Sequence, residues 1–260
     1  MDTISDITKR RDKIVLLIEF FKSEFEERNK EFLEALRRNI DCEHIHKIVL
    51  FYENSLDEYP DIPYSPKVEI AYTKKRMTFG DYFTYCNNKL NSNIYIVANS
   101  DIYFDDSIKH VCSMGENDFL CITRWNNGIL QGHAAYSQDV WVFRKKIPDN
   151  MMRYCDFQLG KQQCDNRVAF LAMRSGFNII NPCYLVKCHH LHKDPNKITY
   201  KKDDFHKDLA RLSSIEPTDR IEYEPNNVCG FIGNFFGNKY IEFFRNELNE
   251  LESNKLQNTL

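Results

Sequence analysis

An α/β fold, a largely parallel sheet covered by helices, is predicted by three features of this 260-residue chain. Apolar runs of strand length alternate with segments of helical spacing. The first of these runs is a continuous apolar run of strand length. A later one, "NIYIVA" (Asn93–Ala98), leads straight into a knot of Asn, Ser and Asp. In parallel sheets ligands gather beyond the carboxyl ends of the strands.

The elements follow in order. "KIVLLIEFF" (13–21) has strand length, and "EERNKEFLEALRRNI" (26–40) places Phe32, Leu33, Leu36 and Ile40 on one helical face with charges opposite. "HKIVLFYE" (46–53) is a second strand, the proline-bearing "SLDEYPDIPYSP" (55–66) a loop, and "KVEIAYT" (67–73) a third strand. "TFGDYFTYCNNKL" (78–90) reads as a helix before "NIYIVA". Strand, helix, strand, strand, helix, strand is the signature of a parallel sheet with helical cover. In the second half, "DFLCITRW" (118–125) and "AAYSQDVWVFRKKI" (134–147) read as strands. "CDNRVAFLAMRSGF" (164–177) reads as a helix with Asp165 as N-cap and Gly176 as its stop. "NIINP" and "YLVKCHHLH" are extended. "HKDLARLS" (206–213) and "NKYIEFFRNELNELESN" (238–254) are helical candidates. The expected organisation is one domain over 1–193 and a C-terminal extension, 194–260, packed on it.

Composition narrows the function. A net charge of -3 gives no bulk attraction to nucleic acid or an anionic membrane, and the 42% hydrophobic content is that of a globular protein. The 9 cysteines are odd in number and form no CxxC pair, so they are expected as reduced thiols in a cytoplasmic protein. The N-terminus carries no secretory pattern. "IVLLIEFF" (14–21) is too short to span a bilayer, so any membrane contact is expected to be peripheral.

Four segments in order then resemble a family. "IYIVANSDIYFDDSI" (94–108) is similar to the strand and DxD motif of GT-A-type glycosyltransferases, the nucleotide-diphospho-sugar transferase fold. "SQDVWVFRKKI" (137–147) resembles the strand with a basic end that follows in inverting family-two-type members. "CDNRVAFLAMRSGFNIINP" (164–182) resembles their "ED" motif, helix and returning strand, and "VKCHHLH" (186–192) their terminal His segment. The resemblance covers roughly residues 13–193 and extends to small transferases of large DNA viruses and bacteria. Asn99 stands where the first Asp of DxD is usual, giving Asn99-Ser100-Asp101.

The resemblance implies an enzyme that moves a hexosyl or deoxyhexosyl group from a nucleotide-diphosphate-sugar, a UDP-sugar as first choice, to a saccharide or glycan. The implied course is inverting and assisted by Mn²⁺ or Mg²⁺. Asp101 is the first choice of metal ligand, with His192 or His190 completing the sphere. Asn99 and Ser100 would stand beside the donor, Arg76 would meet a phosphate and Glu53 the base or ribose. Asp165 would be the general base, fixed and kept ionised by the helix start, with Asp139 its competitor. Each assignment has a plainer rival: Asn99, Asp101, Asp105 and Asp106 as turn and cap residues, Asp165 as a cap, and Arg76 as part of a solvated basic loop. The three His could be a surface cluster, or ligate zinc with Cys183 and Cys188. Arg124 and Trp125 sit at another strand end, where the ring could stack on a sugar; Trp141 is expected in the core. Two other functions compete. A sugar-phosphate nucleotidyltransferase needs a Gly-rich loop after the first strand, and "FFKSEFEERNK" has no Gly. A non-catalytic binding module would explain Asn99.

Overall fold

The strand pattern becomes a seven-stranded sheet. β1 (Lys13–Phe20), β2 (Ile45–Tyr52), β3 (Val68–Tyr72) and β4 (Asn93–Ala98) pair in parallel, with β1 central between β4 and β2. β9 (Val140–Phe143) is antiparallel to both β4 and β6 (Asp118–Ile122), and β10 (Asn178–Ile180) runs parallel to β6. Six of the seven strands therefore point one way, giving the order β10-β6-β9-β4-β1-β2-β3. The structure, a computed structural model, describes residues 12–53, 61–89, 93–161, 163–191, 211–224 and 228–232.

Side-chain alternation divides the core between the two faces of this sheet. Ile14, Leu16, Ile18 and Phe20 of β1 pack with Phe32, Leu33 and Leu36 of helix α1 (Glu26–Asp41). Val15 and Leu17 face helix α2 (Phe79–Asn88), through Phe79, Tyr82 and Phe83. They share that core with Trp141 and with Val168 and Phe170 of helix α4 (Cys164–Arg174). The four-residue α3 (Asp149–Met152) adds Met151 to this side. Thr78 starts α2 with a capping box closed by Asp81. Gly176, at φ +87°, ends α4 in the left-handed region expected of a helix stop.

A second sheet, absent from the sequence reading, stands at the carboxyl edge of the first. Its order is β5 (Ile102–Phe104), β11 (Cys188–His190), β7 (Arg124–Asn126) and β8 (Ile129–Leu130). Asn127 and Gly128, both at positive φ, turn β7 into β8. Asn39 ties α1 to β5: its Nδ2 donates to Ile102 O at 2.8 Å, and its Oδ1 accepts from Phe104 N at 3.1 Å.

Three sequence expectations change. The 134–147 strand shrinks to β9, with a 3-10 turn at Ala134–Tyr136. The N-cap of α4 is Gln163, at φ +70°, and Asp165 lies inside the first turn. Part of the helical candidate 206–213 is strand: β12 (Arg211–Ile215) pairs with β13 (Val228–Ile232) and packs on α4. The 238–254 candidate lies outside the described residues, as does most of the 194–260 extension.

Candidate active site

The carboxyl ends of β1 and β4, the start of α1 and strands β7 and β11 surround a cavity of about 280 Å³. Of the residues singled out in the sequence, Arg76, Asn99, Ser100, Asp101 and His190 line it, as do Arg124 and Asp139. Glu53 does not; its backbone N–H meets Phe20 O beside the end of β1. Asp165 does not either, and His192 lies outside the described residues. Glu19 and Arg28 line it too and were missed. A carboxylate inside the apolar run of β1 was the signal for Glu19. Nothing in the helical pattern separated Arg28 from the other charges of its helix.

Three carboxylates are each tied to an arginine there. Glu19 Oε1 accepts from Arg76 Nε at 2.8 Å and from Met77 N at 2.9 Å, while Ser100 Oγ donates to Glu19 O. Asp139 receives Arg124 Nη1 on both oxygens at 2.9 Å, and Asn99 Nδ2 on Oδ1 at 2.8 Å. Asp101 Oδ2 accepts from Arg28 Nη2 at 2.8 Å and lies 3.0 Å from His190 Nε2. All three carboxylates are buried. Burial raises the Asp101 carboxyl, but His190 and Arg28 outweigh it and hold the group well below the usual carboxylate range.

The donor set at this end of the sheet is of the kind a divalent cation takes. A carboxylate and an imidazole converge on one point of the cavity wall, with the Asn99-Ser100 step beside them, a combination that suits Mn²⁺ or Mg²⁺. Both described bonds to the Asp101 side chain fall on Oδ2, so Oδ1 takes none from a described residue. The residues fit provided the contacts they now make give way: Arg28 Nη2 and His190 Nε2 both lie on Asp101 Oδ2. Asp105 and Asp106 play other parts. Asp105 caps a 3-10 helix through Ser107 N at 2.9 Å and holds His189 Nε2 at 2.8 Å. Asp106 joins Glu43 and His44 in an exposed group before β2, at the opposite end of the strands. No Cys belongs to a ligand cluster among the described residues, and Cys183 and Cys188 are core residues. Eight described cysteines are free thiols. Trp125 donates Nε1 to Cys183 O at 2.8 Å, under Lys187, and Trp141 is buried as expected.

Asp165 overturns one expectation. The helix start should have depressed its pKa. Instead burial pushes it up to about 6, against the pull of the Asn166 and Gln138 backbone amides, with Asp139 adding repulsion. Gln138 N reaches its Oδ2 at 3.2 Å. The folded pKa exceeds the unfolded one, so the cost of a charged Asp165 is absent below the unfolded pKa. It grows as pH rises and is complete above about 6. Asp165→Asn should therefore be more stable than wild type by about 1–3 kcal/mol at pH 8. Urea midpoints should show this gain vanishing toward pH 4. A gain independent of pH would mean that the charge is not what costs stability.

No family model and no curated protein matches the chain. Solved structures with a related arrangement include a mannosyltransferase from Pyrobaculum calidifontis in complex with GDP-Man and Mn²⁺. It shares 11% identity over 72% of this chain and 59% of that one, with a TM-score of 0.47. A 4-diphosphocytidyl-2C-methyl-D-erythritol synthase from Anaerococcus prevotii shares 13% over 74% and 94%, at 0.44. TarS of S. aureus shares 10% over 68% and 36%, at 0.43. The chain thus spans little more than half of the first and about a third of the last. Likenesses of this size assign it neither a family nor an activity. No helix among the described residues is long and apolar enough to cross a membrane.

Proposed function

We propose that the chain is a GT-A-type glycosyltransferase that moves a sugar from a nucleotide-diphosphate donor to a saccharide or glycan acceptor with inversion. One observation carries this reading: three arginines and an Asp101–His190 pair converge on one cavity at the carboxyl edge of a parallel sheet. Such a wall suits a diphosphate, whose oxygens accept forked bonds from guanidinium groups. Arg76 and Arg124 present cationic faces while Glu19 and Asp139 fix their direction. A divalent cation held by Asp101 and His190, with His192 as the further candidate ligand, would supply charge stabilisation to the departing diphosphate. Asp165 accepts the proton of the acceptor hydroxyl, its raised pKa placing it near the range where a base works best at neutral pH.

The test is a panel of nucleotide-sugars, UDP-sugars first, assayed for slow donor hydrolysis with and without Mn²⁺. One donor should be cleaved, and faster with the cation. If no nucleotide-sugar binds but a nucleoside triphosphate and a sugar phosphate together release pyrophosphate, the chain is a nucleotidyltransferase and the proposal fails. The loop after β1 argues against that outcome, since it has no glycine to bring backbone against a triphosphate.

A further inference from the structure

We infer that Asn126, backed by Gln131, is a positioning residue that keeps the Nδ1 proton of His190 turned away from the cavity, so that Nε2 is the nitrogen offered to the cation. This rests on the reading just given and adds to it two residues that are not part of the cavity lining. Strand register brings them there. β7 and β11 run in parallel with Asn126 opposite His190, and the tight turn at Asn127 and Gly128 folds β8 back on β7. Alternation puts Asn126 on the same face as Arg124 and His190, the face that borders the cavity. Gln131, just past β8, donates its backbone N–H to Arg124 O at 3.1 Å, which sets its side chain diagonally across from Asn126.

Three side chains then form a chain of bonds that ends at the cavity. Asn126 Nδ2 donates to Gln131 Oε1 at 2.7 Å, so the oxygen of the same amide is the end that meets His190, with Oδ1 2.9 Å from Nδ1. A carboxamide oxygen only accepts, so Nδ1 carries a proton there. A neutral imidazole has one N–H. With that proton on Nδ1 the lone pair falls on Nε2, the atom 3.0 Å from Asp101 Oδ2. The approach to a carboxylate pulls the other way, toward a proton on Nε2, which a metal ligand cannot keep. The amide decides between the two: a proton held between Nε2 and Asp101 gives way to the cation, and the one on Nδ1 stays. The His190 side chain is 9% exposed, so protein groups rather than solvent set its direction. An acceptor placed behind a ligand imidazole in this way fixes the ring and raises its basicity.

The experiment is a titration with Mn²⁺ alone, read by the electron paramagnetic resonance of the free ion, on wild type, Asn126→Leu and Asn126→Asp. Asn126→Leu should bind Mn²⁺ roughly 10–100-fold more weakly, the usual loss when the group behind a metal ligand is removed. Asn126→Asp keeps an accepting oxygen and should bind at least as well as wild type. Because Asn126 acts through His190, the Asn126→Leu loss should vanish in a His190→Ala background. Nitrogen NMR shifts of the metal-free wild type at alkaline pH should place the proton of the neutral His190 ring on Nδ1. Asn126→Leu should move it to Nε2, a change that a purely structural role would not make. Full Mn²⁺ affinity in Asn126→Leu overturns the inference. So do a loss that persists in His190→Ala, a wild-type affinity indifferent to His190→Ala, and a wild-type proton on Nε2. Should Asn126→Leu fail to fold, Gln131→Met takes its place. It frees the Asn126 amide to turn over, and should shift part of the His190 proton to Nε2 and weaken Mn²⁺ binding; a Gln131→Met variant unchanged in both overturns the inference. Failure here is distinguishable from failure of the proposed function. A His190-dependent loss in Asn126→Leu, with no nucleotide-sugar cleaved by wild type, keeps Asn126 in its role and discards the glycosyltransferase. Mn²⁺-dependent donor cleavage, with full Mn²⁺ affinity in Asn126→Leu, does the reverse.

Discussion

Asp165→Asn should lower turnover by roughly 10²–10⁴-fold, the range for loss of a positioned acid–base group, while donor affinity stays nearly unchanged. Asn preserves the shape of Asp and an oxygen able to accept the Gln138 N–H, so the local fold has no reason to move. What disappears is basicity. The loss falls on turnover because a group acting on the acceptor proton contributes in the transition state and little to donor binding. The raised pKa also sets a pH dependence. Wild-type turnover should fall as pH drops through about 6, where Asp165 takes up its proton, and this limb should be missing in the variant. Single-turnover rates with saturating donor measure both effects. Near-normal turnover in Asp165→Asn would remove it from the mechanism. Asp139 would then inherit the role, since it alone of the two lines the cavity and lies beside Asn99.

The second large effect is expected at Asp101. Asp101→Asn should weaken Mn²⁺-dependent donor binding by about 100-fold or more, given that even groups one step removed from a metal cost 10–100-fold when lost. Asn is the sharper choice of substitution. Both substitutions remove the charge opposite Arg28, but Ala also removes the oxygen that accepts from Arg28 Nη2 and faces His190 Nε2, which Asn can keep. The outcome would then mix unfolding with lost affinity. Calorimetry with the donor and Mn²⁺ is the direct measurement. Unchanged affinity would show that the strand end at Asn99-Ser100-Asp101 is a turn and nothing more.

What could be read in advance depended on the range of the interactions involved. The alternation of β1, α1, β2, β3, α2 and β4 was legible because each element shows its own local period, and the parallel sheet followed from that alternation. The polar end of β4 was legible for the same reason. The second sheet was not, because strands of two or three residues such as β8 and β11 carry no period and are held by partners far along the chain. Arg28 was invisible because its partner Asp101 is 73 positions away, and its helix shows only that it is charged. The Asp165 pKa failed in the opposite sense. The rule for helix ends is local and correct about the Asn166 amide, but burial in the folded chain outweighs it, and Asp139, from another element, adds to the rise.

Asn39 gives α1 mechanical consequences of its own. It clamps the helix to β5 through two backbone groups, and eleven residues, about 16 Å of helix, separate it from Arg28. The far end of α1 is therefore anchored to the strand that continues from Asp101, and near its start Arg28 pairs with Asp101 itself. A rod fixed at one end and latched at the other can respond to the latch without shifting its anchor. Leu33 and Leu36 lie between these two ties, so both ends of that hydrophobic seam are fastened to the segment that follows β4.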